Sequence, residues 1–351
     1  MKCVSWNCQG VGGPRAVRSI HDVTMMHRPS ILGLLETKKL DRDCELIRCK
    51  LGFKRCFVMR SRGKAGGLVI MWSEEVEVKL QSFSNQHINI LIRGEKEFYL
   101  ILFYGNPRSQ DRYQGWELLR RLRKEVDIAW VVLGDFNEVT FSWEMESIKE
   151  RNAWQMDKFK SCLEDYGLTD LRYEGDMFTY SNRRLGESEV KARLDRVVAN
   201  QAWRSLFPQA NVRHIFANSS DHLPILLSTV DLQKRRRASE EKILRFEPMW
   251  LRHIDFKEEV RKHWTAQSSE SKLADKLRNC MQYLNQWSSV TFGNVRKKVE
   301  VLKKKIQELI LLPKTQEIMS EEAQLSYELD EWLEREEIWW RQRSRAEWLK
   351  G

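Results

Sequence analysis

No apolar run of about 18 residues or more occurs in the chain, so a membrane-spanning helix is not expected. Paired cysteines are also missing. The seven cysteines (Cys3, Cys8, Cys44, Cys49, Cys56, Cys162 and Cys280) are odd in number, loosely spaced and without a CxxC. That pattern indicates neither a zinc site nor a disulfide scaffold, and it suits a reducing compartment. The opening MKCVSWNCQG is broken by polar residues and does not read as a secretory signal. No internal repeat stands out. What the chain does have is size, core-forming residues and positive charge. Its 351 residues are 42% hydrophobic, enough for one large domain or one domain plus an extension. The formal net charge is +10 with a pI near 9.2, which favours a polyanionic partner such as DNA or RNA. The run Lys234-Arg235-Arg236-Arg237 suits nuclear import or phosphate contact, or equally a solvated linker.

The first 230 residues alternate short apolar runs with amphipathic segments. Strands are expected over 2–6, 31–35, 55–60, 67–72, 76–82, 87–93, 97–104, 129–133, 177–180, 192–198, 212–216 and 224–229. Helices are expected over 14–27, opened by Pro14, and over 112–126 and 152–165. Many strands with few crossover helices argue for two packed sheets with helices outside. Composition changes near 231, and residues 231–351 read as a helical extension. Val295, Val299, Leu302, Ile306 and Leu309 form a seam for a partner helix, ended by Pro313. A second helix is expected over 316–349, with Trp332, Trp339 and Trp340 packed on something, and the pair suggests a helical hairpin.

Polar residues recur where apolar runs end. Asp135 and Asn137 come after the strand Val131-Val132-Leu133 and lie two apart, so an extended backbone points both to one face. A carboxylate that polarises water beside an amide that fixes an oxygen suits phosphoryl transfer to water; an Asx turn is the plainer alternative. Glu36 ends the strand ILGLLE, the position where open sheets place ligand sites, and its oxygens suit Mg2+ or Mn2+. Asn7 likewise comes after a strand and can bond a metal ligand or phosphate, or simply form a turn. Asp195, in RLDRVV, would share a strand face with Arg193 and Val197 and must be paired if it points inward. The natural partner is His222, whose ring it would orient and whose charged form it would favour. Asp221 precedes that histidine and can face a metal or a water. Tyr104 ends a strand and offers a hydroxyl to a phosphate oxygen, or packs in the core. Two basic loops offer contacts to nucleic acid: Arg60, Arg62 and Lys64 before a Gly-Gly pair, and Arg183 and Arg184 with Tyr180 as a stacking residue. Solvated surface explains both loops equally well.

In their order, the fragments WNCQGVGGPR, LLET, LGDFNEV, FTYSN, RLDRVVAN and SSDHLPI resemble the endonuclease/exonuclease/phosphatase superfamily. They are most similar to the apurinic-like endonuclease domain of plant non-LTR (LINE-type) retrotransposons. The likeness covers 1–230. It implies a four-layer α/β sandwich, two mixed β-sheets flanked by helices. It also implies a Mg2+-dependent phosphodiesterase, with Mn2+ as the alternative ion, that nicks DNA and leaves a 3′-hydroxyl. On this chain Glu36, Asn7 and Asp221 would then be the metal residues. Asp135 would handle the attacking water with Asn137 beside it. His222 would face the phosphate, oriented by Asp195, and Tyr104 would donate in the transition state. The segments FEPMW, FGN and WRQRSRAEWLK resemble the stretch that connects this domain to a reverse transcriptase in such elements. The chain ends before any polymerase domain, so a truncated element product is expected, located in the nucleus or else the cytoplasm and not secreted. DNA is the expected partner, with a helical protein partner through 295–349 as a second. The same catalytic set would also serve abasic DNA, RNA or a soluble phosphoester, and an inert nucleic-acid-binding relic would carry it too.

Overall fold

The computed structural model describes residues 1–39, 41–61, 66–125, 128–149, 151–184, 186–217, 219–230, 246–265, 273–293, 295–312 and 314–348. The chain divides into two compact units, Met1–Arg235 and Arg236–Gly351. The first unit opens with β1 (Lys2–Asn7), α1 (Pro14–His27), β2 (Ile31–Leu35), α2 (Asp41–Leu51), β3 (Arg55–Met59) and β4 (Leu68–Trp72). Next come β5 (Glu77–Ser84), β6 (His87–Arg93), β7 (Phe98–Tyr104), α3 (Tyr113–Glu125) and β8 (Trp130–Asp135). After these lie β9 (Met145–Glu146), α4 (Ala153–Asp165), β10 (Thr169–Asp170), β11 (Tyr173–Glu174) and β12 (Tyr180–Ser181). The unit closes with β13 (Lys191–Ala192), β14 (Asp195–Ala199), α5 (Gln201–Leu206), β15 (Asn211–His214) and β16 (Ile225–Ser228).

Among the described residues these strands form three sheets. One is seven-stranded, in the order β11-β15-β16-β1-β2-β4-β3. The second is six-stranded, β10-β14-β8-β7-β6-β5, and a small third is β12-β13-β9. The two large sheets are mixed: β1–β2 and β7–β8 run parallel, while most other pairs run antiparallel. Strand alternation sorts their side chains into layers. Cys3, Ile31, Leu35 and Ile70 of the first sheet meet Ile90, Leu102, Val131 and Leu133 of the second in one buried cluster. The opposite face of the first sheet (Val4, Trp6, Leu32, Leu34) packs on Ile20, Val23 and Ile47 of α1 and α2. The opposite face of the second (Ile101, Phe103, Trp130, Val132) packs on Leu118, Leu119, Phe159 and Leu163 of α3 and α4. This is the expected α/β sandwich. Its central strands read as continuous apolar runs because both their faces are covered.

Several details depart from the sequence reading, among them the short helix α5 and strands β9 to β11, which it does not contain. Helix α2 is not among the expected helices, although Cys44, Ile47 and Leu51 lie on its buried face. The expected strand 192–198 splits into β13 and β14, and 177–180 contributes only β12 at its end. Arg193 therefore does not share the face of Asp195. It turns with Arg196 onto Glu144 and Asp170. Arg196 is fully buried, and its guanidinium reaches both Glu144 oxygens at 2.6 and 2.9 Å. A fork of this kind satisfies donors and charge together.

The second unit contains α6 (Phe256–Thr265), α7 (Leu273–Thr291), α8 (Val295–Leu311) and α9 (Gln316–Trp348). Its aromatic cluster gathers Trp250, Phe256, Trp287 and Phe292. Helix α8 packs on α9. Val299, Leu302 and Ile306 of the seam are buried, as are Leu329, Trp332 and Leu333 of α9, and Lys298 lies over the Trp332 ring. The seam expected to take a partner helix thus packs on α9, as the suggested hairpin would have it. The side chains of Trp339 and Trp340, Pro313, and the basic run 234–237 lie outside the described residues. Among the described residues no helix is long and apolar enough to cross a membrane.

Burial raises the pKa of Glu144, but the Arg196 bonds and charge outweigh it and hold the carboxyl down at about 2. A depressed carboxyl stabilises the fold above its unfolded pKa, and that stability is lost as pH falls through the folded value. Glu144→Gln should therefore cost roughly 3 kcal/mol at pH 7 in urea unfolding. The gap from wild type should narrow as pH drops from the ordinary carboxylate range towards 2; a gap independent of pH would contradict this account.

Candidate active site

The carboxyl ends of the parallel strands β1, β2, β7 and β8 lie together. Asn7 is in register with Leu35, the residue before Glu36, and Tyr104 is in register with Asp135. Antiparallel β14 then brings Asp195 opposite Asp135. Two glycines permit this convergence. A Cβ on Gly105 would sit 2.2 Å from the Phe136 carbonyl oxygen, and one on Gly134 would sit 2.0 Å from that of Phe103. No side chain fits where backbone approaches this closely.

Asn7 is fully buried, and its Nδ2 donates to Glu36 Oε1 at 3.1 Å and to Asp135 Oδ2 at 3.0 Å. Tyr104 Oη donates to the same Glu36 oxygen at 2.7 Å, while Lys38 Nζ lies 3.2 Å from Glu36 Oε2. Glu36 and Lys38 both hold left-handed backbone, with φ of 53° each. Main-chain bonds from Thr37 and Lys38 to Gly67 and Gly66 hold the loop there. Burial raises the Glu36 pKa, but the bonds from Tyr104 and Asn7 and the Lys38 charge prevail and lower it. Burial beside Glu36 pushes the Tyr104 hydroxyl up, so it remains a donor.

Asp135 Oδ1 accepts from the Asn137 N–H at 2.8 Å, and its Oδ2 also accepts from Asn137 Nδ2 at 3.1 Å. Asn137 is itself left-handed and bonds the Gly105 carbonyl at 3.0 Å. Its own carbonyl accepts from Arg151, which shares the buried Glu138 with Arg112. His222 Nδ1 lies 2.8 Å from Asp195 Oδ2, and Nε2 lies 3.8 Å from Asp135 Oδ2. Burial alone would lower the His222 pKa; the Asp195 and Asp135 charges overcome it and raise it. Burial raises that of Asp135 against the opposing pull of His222. Asp221 is half-buried, accepts from Gln9 Nε2 at 2.7 Å, and is raised by burial.

The structure thus brings Asn7, Glu36, Tyr104, Asp135, Asn137, Asp195 and His222 together, with Asp221 at the mouth through Gln9. Tyr180 joins them: its backbone bridges to His222 and the two rings lie 4.9 Å apart. Arg183 bonds the Ser220 carbonyl at 2.7 Å, and Arg184 is exposed beside it. Arg60 is instead held by Asp41, and Arg62 and Lys64 lie outside the described residues. Several supporting groups are absent from the sequence reading. Trp6 Nε1 bonds the His222 carbonyl, Ser220 Oγ bonds the Asn7 carbonyl, and Thr179 Oγ1 accepts from the Asp195 N–H. Trp6, Gln9, Thr179 and Ser220 all lie inside fragments already singled out, but nothing there marks their supporting roles.

Asp135, Asp195 and His222 offer ligand atoms within 4.8 Å of one another, a set suited to a divalent cation. The carboxylate oxygens of Glu36 and Asp135, joined by Asn7, are hard donors of the kind Mg2+ and Mn2+ take. Carboxylates, an imidazolium and a phenol gathered at one point suit hydrolysis of a phosphoester.

No curated protein matches the chain. Among solved structures, an AP endonuclease from Archaeoglobus fulgidus superposes with a TM-score of 0.53 at 21% identity, over 65% of this chain and 98% of that one. The 3′-5′ exonuclease NExo from Neisseria meningitidis gives 0.51 at 21% identity, over 65% and 99%. The endonuclease domain of the telomere-specific non-LTR retrotransposon TRAS1 gives 0.49 at 20%, over 66% and 99%. At these identities the likeness is one of fold. The profile of the Endonuclease/Exonuclease/phosphatase family matches residues 4–222, a span that runs from β1 to His222 and takes in every residue of the centre, and the chain belongs to that family of metal-dependent hydrolases.

Proposed function

We propose that the chain is a metal-dependent endonuclease that nicks DNA, of the kind carried by non-LTR retrotransposons. The observation that supports it most is the Asn7 amide bridging Glu36 and Asp135, with the His222–Asp195 pair on the other side of Asp135. Net charge of +10 favours a polyanionic substrate. The order of fragments from WNCQG to SSDHLP favours the retrotransposon type.

In this reading Glu36 and Asn7, with Asp221 at the mouth, would hold Mg2+, with Mn2+ as the alternative. When bound, the ion would neutralise charge on the phosphate and the leaving oxygen. The remaining chemistry belongs to the chain. Asp135 accepts the proton of the attacking water, and Asn137 fixes that water in line with phosphorus. His222, kept as an imidazolium by Asp195, faces a phosphate oxygen. Tyr104 donates to the negative charge that builds in the transition state. The nicked strand retains a 3′-hydroxyl. Arg183, Arg184 and Tyr180 line the approach beside His222 and would meet the strand there.

Purified protein should nick supercoiled plasmid with Mg2+ or Mn2+ and stop in EDTA. Glu36→Ala and His222→Ala should each lower the rate by roughly a hundredfold or more. Wild-type rates from either variant would sink the assignment. Intact duplex, abasic duplex, RNA and inositol phosphates assayed side by side would identify the substrate class.

The pH profile should be bell-shaped. Asp135 must be ionised to accept a proton, and its raised pKa places the acid limb above the ordinary carboxylate range. His222 must be protonated, and activity falls as pH rises through its raised pKa. Asp195→Asn removes the chief anion on that ring, so its alkaline limb should shift to lower pH; an unmoved limb would separate His222 ionisation from catalysis.

A further inference from the structure

Phe141 and Trp143 stand on the surface of the first unit with 42% and 55% of their area exposed. Their rings stack on each other at 5.5 Å and an interplanar angle of 12°. Lys160 of α4 lies over the Phe141 face at 4.9 Å. The same helix carries a second such pair, Lys158 over Trp154 at 5.8 Å, with Trp154 61% exposed. Single exposed apolar residues need no explanation. Here two exposed rings are stacked, aligned and flanked by ammonium groups, which is the composition of a nucleic-acid stacking surface.

The pair is tied to the centre from both directions. Phe141 lies four residues past Asn137 in the same loop. Trp143 adjoins Glu144, whose carboxylate grips Arg196 next to Asp195. β9 begins at Met145 and pairs with β13, which pairs with β12, whose Tyr180 bridges to His222.

We propose that Phe141 and Trp143, with Lys160, form an accessory platform on which unpaired bases of a nucleic-acid strand stack while the lysine meets the phosphate backbone. The proposal rests on the reading of the centre as a nucleic-acid phosphodiesterase and adds where a single-stranded stretch of the substrate lies. Aromatic faces accept any base, so the platform favours unpaired strand over sequence. The core of a protein interface is depleted in lysine, whereas here lysines sit against the rings, and this favours nucleic acid over a protein partner. The exposed acids on the same elements are Glu146, which faces Lys191 at 4.0 Å, and Asp157, Glu164 and Asp165 of α4.

The test is fluorescence anisotropy with the full chain in EDTA, using labelled oligothymidylate and a blunt duplex of equal length. Trp143→Ala and Phe141→Ala should each weaken oligothymidylate binding by roughly tenfold, the value of one stacked base. Duplex affinity should stay close to wild type. Trp143→Phe should restore most of the loss, and Lys160→Gln should reduce the salt slope on the single strand by about 0.7. Circular dichroism checks each variant's fold. The near-isosteric Trp143→Phe and the surface change Lys160→Gln keep the test decisive should an alanine variant misfold. Unchanged oligothymidylate affinity in Trp143→Ala overturns the platform, as it would if the rings served a protein instead. Equal losses for duplex and single strand overturn it too. Because binding is read without metal, the outcomes separate: a protein that binds oligothymidylate but never nicks plasmid refutes the endonuclease reading alone, and one that nicks with no Trp143 effect refutes the platform alone.

Discussion

One buried amide holds this molecule's chemistry together. Asn7 ends a strand of the first sheet, and its Nδ2 reaches Glu36 of the same sheet and Asp135 of the other. Tyr104 makes a second crossing from the second sheet to Glu36, and His222, just before β16, makes a third to Asp195. Elsewhere the sheets face each other through an apolar core. The centre is therefore the one polar seam of the sandwich within the described residues, set where the parallel strands end. A carboxylate buried there without partners would cost several kcal/mol. Each of these carboxylates has partners, and at least one partner of each comes from another strand end. The site thus depends on how the two sheets approach each other: Gly33 of the first lies so close to the second that a Cβ there would sit 2.5 Å from Leu102 Cδ1, while Gly105 and Gly134 let β7 and β8 close up within the second sheet.

The balance of charge within the seam arises from the same geometry. Asp135 and Asp195 stand beside one imidazole, Glu36 is joined to Asp135 through Asn7, and burial opposes ionisation of Glu36 and Asp135. Glu36 keeps its charge because a phenol, an amide and an ammonium favour it, and its pKa falls. Asp135 has mostly amide donors and a histidine at 3.8 Å, and its pKa rises. Environments that push two acids apart in this way leave one carboxylate charged where its neighbour more readily takes up a proton. Lys38 occupies the second Glu36 oxygen, where a divalent cation would compete with it.

Much of this is legible in the chain. The ends of ILGLLE and VVLGD are marked by an abrupt change from apolar to acidic residues, and a site built at strand ends leaves that mark. The pairing of Asp195 with His222 can be argued because an inward Asp demands a partner. Other parts are hidden for physical reasons. Helix α2 is short and mostly charged, so its three buried residues give little periodicity. The strand 192–198 looks continuous, yet Arg193 and Arg196 both turn to Glu144, a preference decided by tertiary ion pairing that no local pattern encodes. The seam on α8 reads as a helix-packing surface, and the second helix after Pro313 suggests the hairpin in which α9 packs on it. Arg60 illustrates the converse: a basic residue in a glycine-rich loop suggests phosphate, and Asp41 of the unexpected helix α2 holds it instead.

The Glu144 cluster ties the centre to its rim. A single buried carboxylate receives Arg193, Arg196 and the Thr140 hydroxyl and amide. It thereby fixes the start of β14, and with it Asp195, to the turn that bears Phe141 and Trp143. Ion pairs this deeply buried stabilise a fold only modestly over an apolar alternative, because desolvation consumes most of the attraction. What they supply here is position. Guanidinium forks admit few geometries, so the turn cannot shift without breaking several charge-assisted bonds at once. The rigid turn keeps two large aromatic rings exposed rather than letting them collapse onto the nearest apolar surface. A surface that must meet bases and a centre that must meet phosphorus are then held in one fixed frame, and the buried arginines are what make it rigid.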